Sequence, residues 1–212
     1  MINLGKLDYL PYFTLQAVSQ IAGTSLQATR QLLARQEKSG KIIRLKRGCY
    51  MSREFWLMHK NDLDFMAMIS VILQPQSYLT GAWVLQKYGV MTEGIYSVTA
   101  VTTKHTRVIT NKIATFYYAH IANKLFNGYE EINYCGVSCR EATAAKALFD
   151  YLYLRHEPGG LREKNFDLAE DERLNIDDWK KSRINEFLSY IKMSRLPKMG
   201  RIAKNLKENV WV

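Results

Sequence analysis

The run GTSLQATRQLLARQEKSGKIIRLKRGCYM, residues 23–51, confines the start of this chain to few folds. Thr24-Ser25-Leu26-Gln27 fits a capping box, in which the Thr hydroxyl and the Gln side chain satisfy each other's backbone donors. Helical spacing predicts a helix from there to about Lys38, with Leu26, Thr29, Leu32, Leu33 and Gln36 inward. Gln27, Arg30, Gln31 and Arg35 are left on or near its open face. Ser39-Gly40 stops the helix, and two β runs, KIIRL and CYMS, follow. They meet through Lys46-Arg47-Gly48, where Gly48 gives the backbone freedom of a tight turn.

Upstream, a short helix is expected from about Leu4 to Leu10, closed by Pro11. FTLQAVSQIAG then reads as a second helix, capped by Thr14, with Leu15, Val18 and Ile21 on one face and Gly23 at its end. Helix, short turn, helix and basic hairpin is the order of a winged helix-turn-helix. In that arrangement the second helix of the motif enters the major groove while the hairpin turn lies along the phosphates. Ser25, Gln27, Arg30 and Gln31 are then the base-reading candidates, since Gln suits adenine N6/N7 and Arg suits guanine O6/N7. Arg35, Lys38, Lys41, Arg44, Lys46 and Arg47 are the phosphate candidates. If about six such cations neutralise phosphates, log K against log salt should have a slope of roughly −5.

The charge pattern agrees with a polyanionic partner. The chain carries a formal charge of +10, distributed unevenly. Residues 1–53 hold nine Lys/Arg against two acids, and residues 181–212 hold eight against two. Residues 141–180 are acidic, with ten acids against six bases. No basic start followed by an apolar run opens the chain, so a cytoplasmic protein with three reduced cysteines is expected. The longest apolar run, FMAMISVIL, has nine residues and is too short to span a bilayer.

An α+β fold is expected: a winged helix-turn-helix over 1–53, then a larger mixed α/β body over 54–212 with C-terminal helices. Residues 54–75 read as a linking helix. Thr80 reads as the cap of GAWVLQKY, which Gly89 closes. IYSVTAVTT and IATFYYAHI read as partner strands joined by the basic KHTRVITNK, with INYC and VSCR as further strands. ATAAKALFDYLYLR is apolar nearly all round and reads as a buried helix. The acidic segment 157–178 reads as a loop or mobile cover. Two basic amphipathic helices, about 178–192 and 198–208, finish the chain.

Motifs for chemistry are few. Cys135 and Cys139 form a C-x3-C pair with no second pair beside it, and read as two thiols at adjacent strand positions rather than a zinc site. His59, His105, His120 and His156 make no metal-binding spacing, and His120 reads as a packed or hydrogen-bonded residue. No Walker A loop, G-x-G-x-x-G or G-x-S-x-G elbow occurs. Catalytic residues, metal ligands and cofactors are therefore not expected. A nucleic-acid-processing enzyme would need clustered carboxylates on strands, and the runs from Tyr96 to Arg140 offer Glu130-Glu131 alone.

Beyond the head, SYLTGAWVLQKYGVMTEGIYSVTAVTTKHTRVI, FYYAHIANKLFNGYEE and REATAAKALFDYLYL follow in order. This body resembles the AbiEi family of antitoxins, described as transcriptional regulators of viral defence systems. The resemblance runs over about residues 10–154 and is strongest from Ser77 to Leu154. Its most specific pieces are Val101-Thr102-Thr103-Lys104 with Arg107, and Ala142-Thr143 with Lys146-Ala147-Leu148 and Asp150. Where the family often has Pro-Glu, this chain has Ala144-Ala145. The resemblance implies a repressor that binds inverted repeats in its own operator, and an antitoxin that counters a nucleotidyltransferase toxin without needing to bind it directly. Lys104, His105, Arg107 and Lys112 form a candidate basic face of the body for tRNA or another acidic partner. The alternatives are a winged-helix regulator whose body binds a ligand or RNA, with no toxin partner, and a nucleic-acid-processing enzyme.

Overall fold

In a computed structural model that describes residues 4–94, 97–163 and 165–211, the chain forms a mixed α and β architecture around two sheets. The head opens with a 3-10 turn, Leu4–Leu7, in place of the longer helix expected to Leu10. A two-residue strand, β1 (Phe13–Thr14), follows. It is too short to show alternation, and it adds a third strand to the expected hairpin. Thr14 also caps α1 (Leu15–Ala22), its hydroxyl accepting from the Ala17 amide at 3.1 Å. Next come α2 (Leu26–Lys38), β2 (Ile42–Lys46) and β3 (Cys49–Ser52), and the strands order as β1-β3-β2. Leu15 and Val18 of α1 are buried as expected, but Ile21 is 69% exposed. Of the α2 residues expected inside, Thr29 and Leu33 are fully buried, whereas Leu26 is exposed.

The hairpin is covered on both sides. Ile42 and Tyr50 pack with Leu7, Phe13, Leu15, Val18 and Leu33 in the small core of the head. Ile43, Leu45, Cys49 and Met51 face the other way and join the large core of the body. Alternation along a strand sends neighbours to opposite faces, so one hairpin serves two cores.

The expected linking helix over 54–75 is two helices, α3 (Arg53–His59) and α4 (Phe65–Leu73). They part at a polar turn in which Asp62 accepts from His59 at 2.8 Å and from the Tyr134 hydroxyl. Strand β4 (Ser77–Thr80) takes Thr80, so Gly81 rather than Thr80 stands at the N-cap of α5 (Ala82–Lys87). The six-stranded sheet continues with β5 (Ser97–Thr102), β6 (Arg107–Thr110), β7 (Thr115–His120), β8 (Tyr129–Tyr134) and β9 (Val137–Ala142), in the order β6-β7-β5-β4-β9-β8. β5 and β7 pair in parallel, as the partner strands expected, although Ile95 and Tyr96 lie outside the described residues. The basic connector between them holds a strand of its own, β6, at the sheet edge.

Helix α6 (Ala144–Leu154) is buried, as its all-round apolar pattern predicts. Two charges lie inside it: Lys146 and Asp150 are wholly buried and paired at 2.5 Å across one helical turn. Tyr78 and Thr80, two apart on β4, both donate to the other Asp150 oxygen, at 2.9 and 2.8 Å. Burial pushes the Asp150 carboxyl up and pulls the Lys146 ammonium down, while each opposes the shift of the other. Thr143 caps this helix and donates to Glu186 of α8 (Lys181–Ser194) at 2.6 Å.

The acidic segment 157–178, expected as a loop or cover, is strapped down. It contains a 3-10 turn, Gly159–Arg162, and the short α7 (Leu168–Asp171), with Leu161, Leu168, Leu174 and Ile176 buried. Asn205 of α9 (Pro197–Asn209) clamps it, accepting from the Leu168 amide at 3.0 Å and donating to the Phe166 carbonyl at 2.7 Å. Arg201 adds a bidentate pair to Glu157, at 2.6 and 2.7 Å. The acids hid apolar residues at irregular spacing, which no periodicity could reveal. Among the described residues, no helix is long and apolar enough to cross a membrane.

Candidate nucleic-acid interface

The turn between α1 and α2 is sealed by its own polar groups. Gly23 takes φ +62°, a left-handed conformation that closes α1, and the Thr24 amide donates back to the Ser19 carbonyl at 3.2 Å. The Thr29 hydroxyl donates to the Ser25 carbonyl at 2.9 Å, so its oxygen is the acceptor for Thr24, also at 2.9 Å. With Thr24 committed to this chain, the cap of α2 moves one residue on. Ser25 accepts from the Ala28 amide at 3.2 Å, and the expected Thr24–Gln27 capping box is not formed. Ser25, a base-reading candidate, therefore has its oxygen engaged at the helix start.

At 100° per residue, Gln27, Gln31, Ala34 and Lys38 make one outward stripe of α2, and all four are exposed. Arg30 and Glu37 lie on the flank toward the hairpin. Arg35 is turned about 140° from Arg30, onto the opposite flank. Arg30, Ala34 and Glu37 line a groove of about 650 Å³ with Arg44, Arg47 and Gly48 of the hairpin. Thus Arg30, Arg44 and Arg47 come together, with Gln27 and Gln31 on the adjoining face. Lys41, exposed, precedes β2.

Lys46, also a phosphate candidate, does not stand beside Arg44. Simple alternation puts it beside Arg44, but β2 carries a bulge: Arg44 faces Tyr50 and Lys46 faces Cys49, with Leu45 the extra residue. The bulge turns Lys46 to the body, where its ammonium donates to the carbonyls of Ile72 and Leu73 at 2.7 and 3.1 Å. Those carbonyls end α4, where a cation also suits the helix dipole. Asn111 adds a second tie, donating to the Leu45 carbonyl at 3.2 Å. Lys46→Met should cost roughly 1.5–3 kcal/mol, the range for a hydrogen bond to a charged group, in urea unfolding. It should leave the salt slope of DNA binding unchanged, and a slope shallower by about one would return Lys46 to the phosphate ligands.

The body candidates separate into two pairs. Arg107 and Lys112 line a second groove of about 870 Å³ that also holds Glu37, Arg44, Lys46 and Arg47. The two grooves therefore share the hairpin arginines. Lys104 and His105 are exposed in the β5–β6 turn and line neither groove. His120 is hydrogen-bonded as expected, donating from Nδ1 to the Lys104 carbonyl at 3.1 Å. Among the described residues, Arg30, Arg35, Lys38, Lys41, Arg44, Arg47, Lys104, Arg107 and Lys112 form no ion pair. Lys87, Arg140, Lys146, Arg155, Arg173 and Arg201 are each held by a carboxylate. Unpaired cations carry displaceable counterions, which is the condition for salt-dependent binding.

Glu37 lines both grooves and was missed as a site residue. Its position seven residues after Arg30, hence on the same flank, was the available signal. The two thiols are not strand neighbours. Cys135 is exposed in the β8–β9 turn, while Cys139 is buried opposite Ile132, and burial pushes its thiol up to about 11. Of the positions of the resemblance, Lys146 and Asp150 lie in the interior on α6, and the half-buried Thr143 caps that helix. No protein-family model matches the chain, and no curated protein matches it.

Proposed function

We propose that the head is a winged helix-turn-helix and that the protein is a DNA-binding transcriptional repressor. Its order of elements supports this: α1, a three-residue turn sealed by hydroxyl hydrogen bonds, α2, then a hairpin closed into a three-stranded sheet by β1. The observation that carries the reading is the groove in which Arg30 of α2 meets Arg44 and Arg47 of the hairpin, beside the exposed Gln27 and Gln31. Phosphate contacts at Arg44, Arg47, Arg35, Lys38 and Lys41 set register, and the α2 stripe reads base edges. Arg30, at the border, serves either strand backbone or a guanine.

The antitoxin role rests on the AbiEi resemblance, which would make this the repressor of its own operon and the counter to a nucleotidyltransferase toxin. The test is fluorescence anisotropy on duplex from upstream of the gene against a scrambled duplex, across a salt series. The expected result is a preference above about a hundredfold, within the range of specific readers. The five phosphate contacts of the head alone set a slope of roughly −4 to −5, and each further contact from the body steepens it by about 0.9. Equal, weak binding to both duplexes would reject a sequence-specific repressor.

A further inference from the structure

Strand β6 is one of the two edge strands of the six-stranded sheet, with Arg107 at its first position and Lys112 just past its end. Both side chains are exposed, and both line the concavity that holds Arg44 and Arg47 of the hairpin. Glu37 is the one acid of that lining. The spacing between hairpin and edge strand is set, since Lys46 ties the hairpin to the end of α4 and Asn111 ties it to the β6–β7 turn. A polyanion lying on the hairpin turn therefore meets a second pair of cations already in place.

We propose that Arg107 and Lys112 contact phosphates of the same double-stranded DNA that α2 and the hairpin bind, so that the footprint runs from α2 across the hairpin turn onto the sheet edge. This assignment rests on the reading of α2 and the hairpin as a DNA reader. A small anion would call for buried donors converging on one point, whereas these four cations are exposed and strung along an open groove. A duplex presents a phosphate every ~3.4 Å per strand along its axis and suits that spread. Lys104 and His105, outside the groove, contribute nothing to it and serve as an internal control.

The test uses the full chain and a labelled random-sequence duplex of about 30 bp, with the upstream duplex in parallel, over roughly 50 to 200 mM salt. Arg107→Ala/Lys112→Ala should weaken both complexes about tenfold and make the salt slope shallower by about two. Lys104→Ala/His105→Ala should change neither. Circular dichroism and thermal melting of each variant should match the parent, because the substituted side chains are exposed. If Arg44→Ala/Arg47→Ala loses affinity while Arg107→Ala/Lys112→Ala keeps affinity and slope, the inference is overturned and the DNA-reading head stands. If the parent chain binds no duplex, both fall together. If Arg107→Ala/Lys112→Ala loses affinity for tRNA but keeps it for duplex DNA, the edge strand belongs to an RNA surface and the inference is overturned.

Discussion

Asp150→Ala should destabilise the protein by about 3–5 kcal/mol, the cost of stranding one member of a buried ion pair. Lys146 is wholly buried, and its ammonium stands over the rings of Phe149 and Tyr190, 4.7 and 5.2 Å from their centroids. Aromatic faces attract the charge but do not replace a carboxylate. Tyr78 and Thr80 would lose their shared acceptor as well. Against a usual total of about 5–15 kcal/mol, the loss should be plain in urea unfolding. Lys146→Met/Asp150→Leu, which removes both charges, should recover most of it, since a dry ion pair is often no better than an apolar one. A single substitution costing under about 1 kcal/mol would mean that water reaches Lys146 and that the network is not dry.

Gln27→Ala/Gln31→Ala should erase much of the preference for upstream over scrambled DNA, while the salt slope stays as it was. A bidentate base contact discriminates by about 1–3 kcal/mol, so losing two should cost on the order of a hundredfold or more in preference. Neither side chain carries charge, so counterion release is untouched. Both are exposed on α2, away from Thr29 and Leu33, so stability should change by less than about 0.5 kcal/mol. A drop in affinity equal on both duplexes would show that these glutamines hold backbone and read nothing.

Much of the head was legible because its signals are local. Thr14 and Gly23 bound α1 as the sequence predicts, and Gly48, at φ +75°, turns the hairpin. What stayed hidden depends on competition or on distance. Ser25 became the cap because Thr24 was claimed by Thr29, five residues on. Lys46 lies on the body side of the hairpin, away from Arg44, because a single bulged residue, Leu45, reversed the parity of β2. The buried apolar residues of 157–178 are recognisable only once α9 lies across them. The body face was one list of cations in the sequence. The sheet divides it, sending Arg107 and Lys112 to the hairpin side and leaving Lys104 and His105 at the far turn.

The hairpin covered on both faces has a consequence for how this protein can be taken apart. Cut after Arg53, the head would carry Ile43, Leu45, Cys49 and Met51 into water as an apolar plate. An isolated 1–53 fragment should therefore aggregate or unfold rather than behave as a small DNA-binding module. For the same reason the chain has no slack between head and body. Like a tool forged in one piece with its handle, the body stands at one fixed angle to the head.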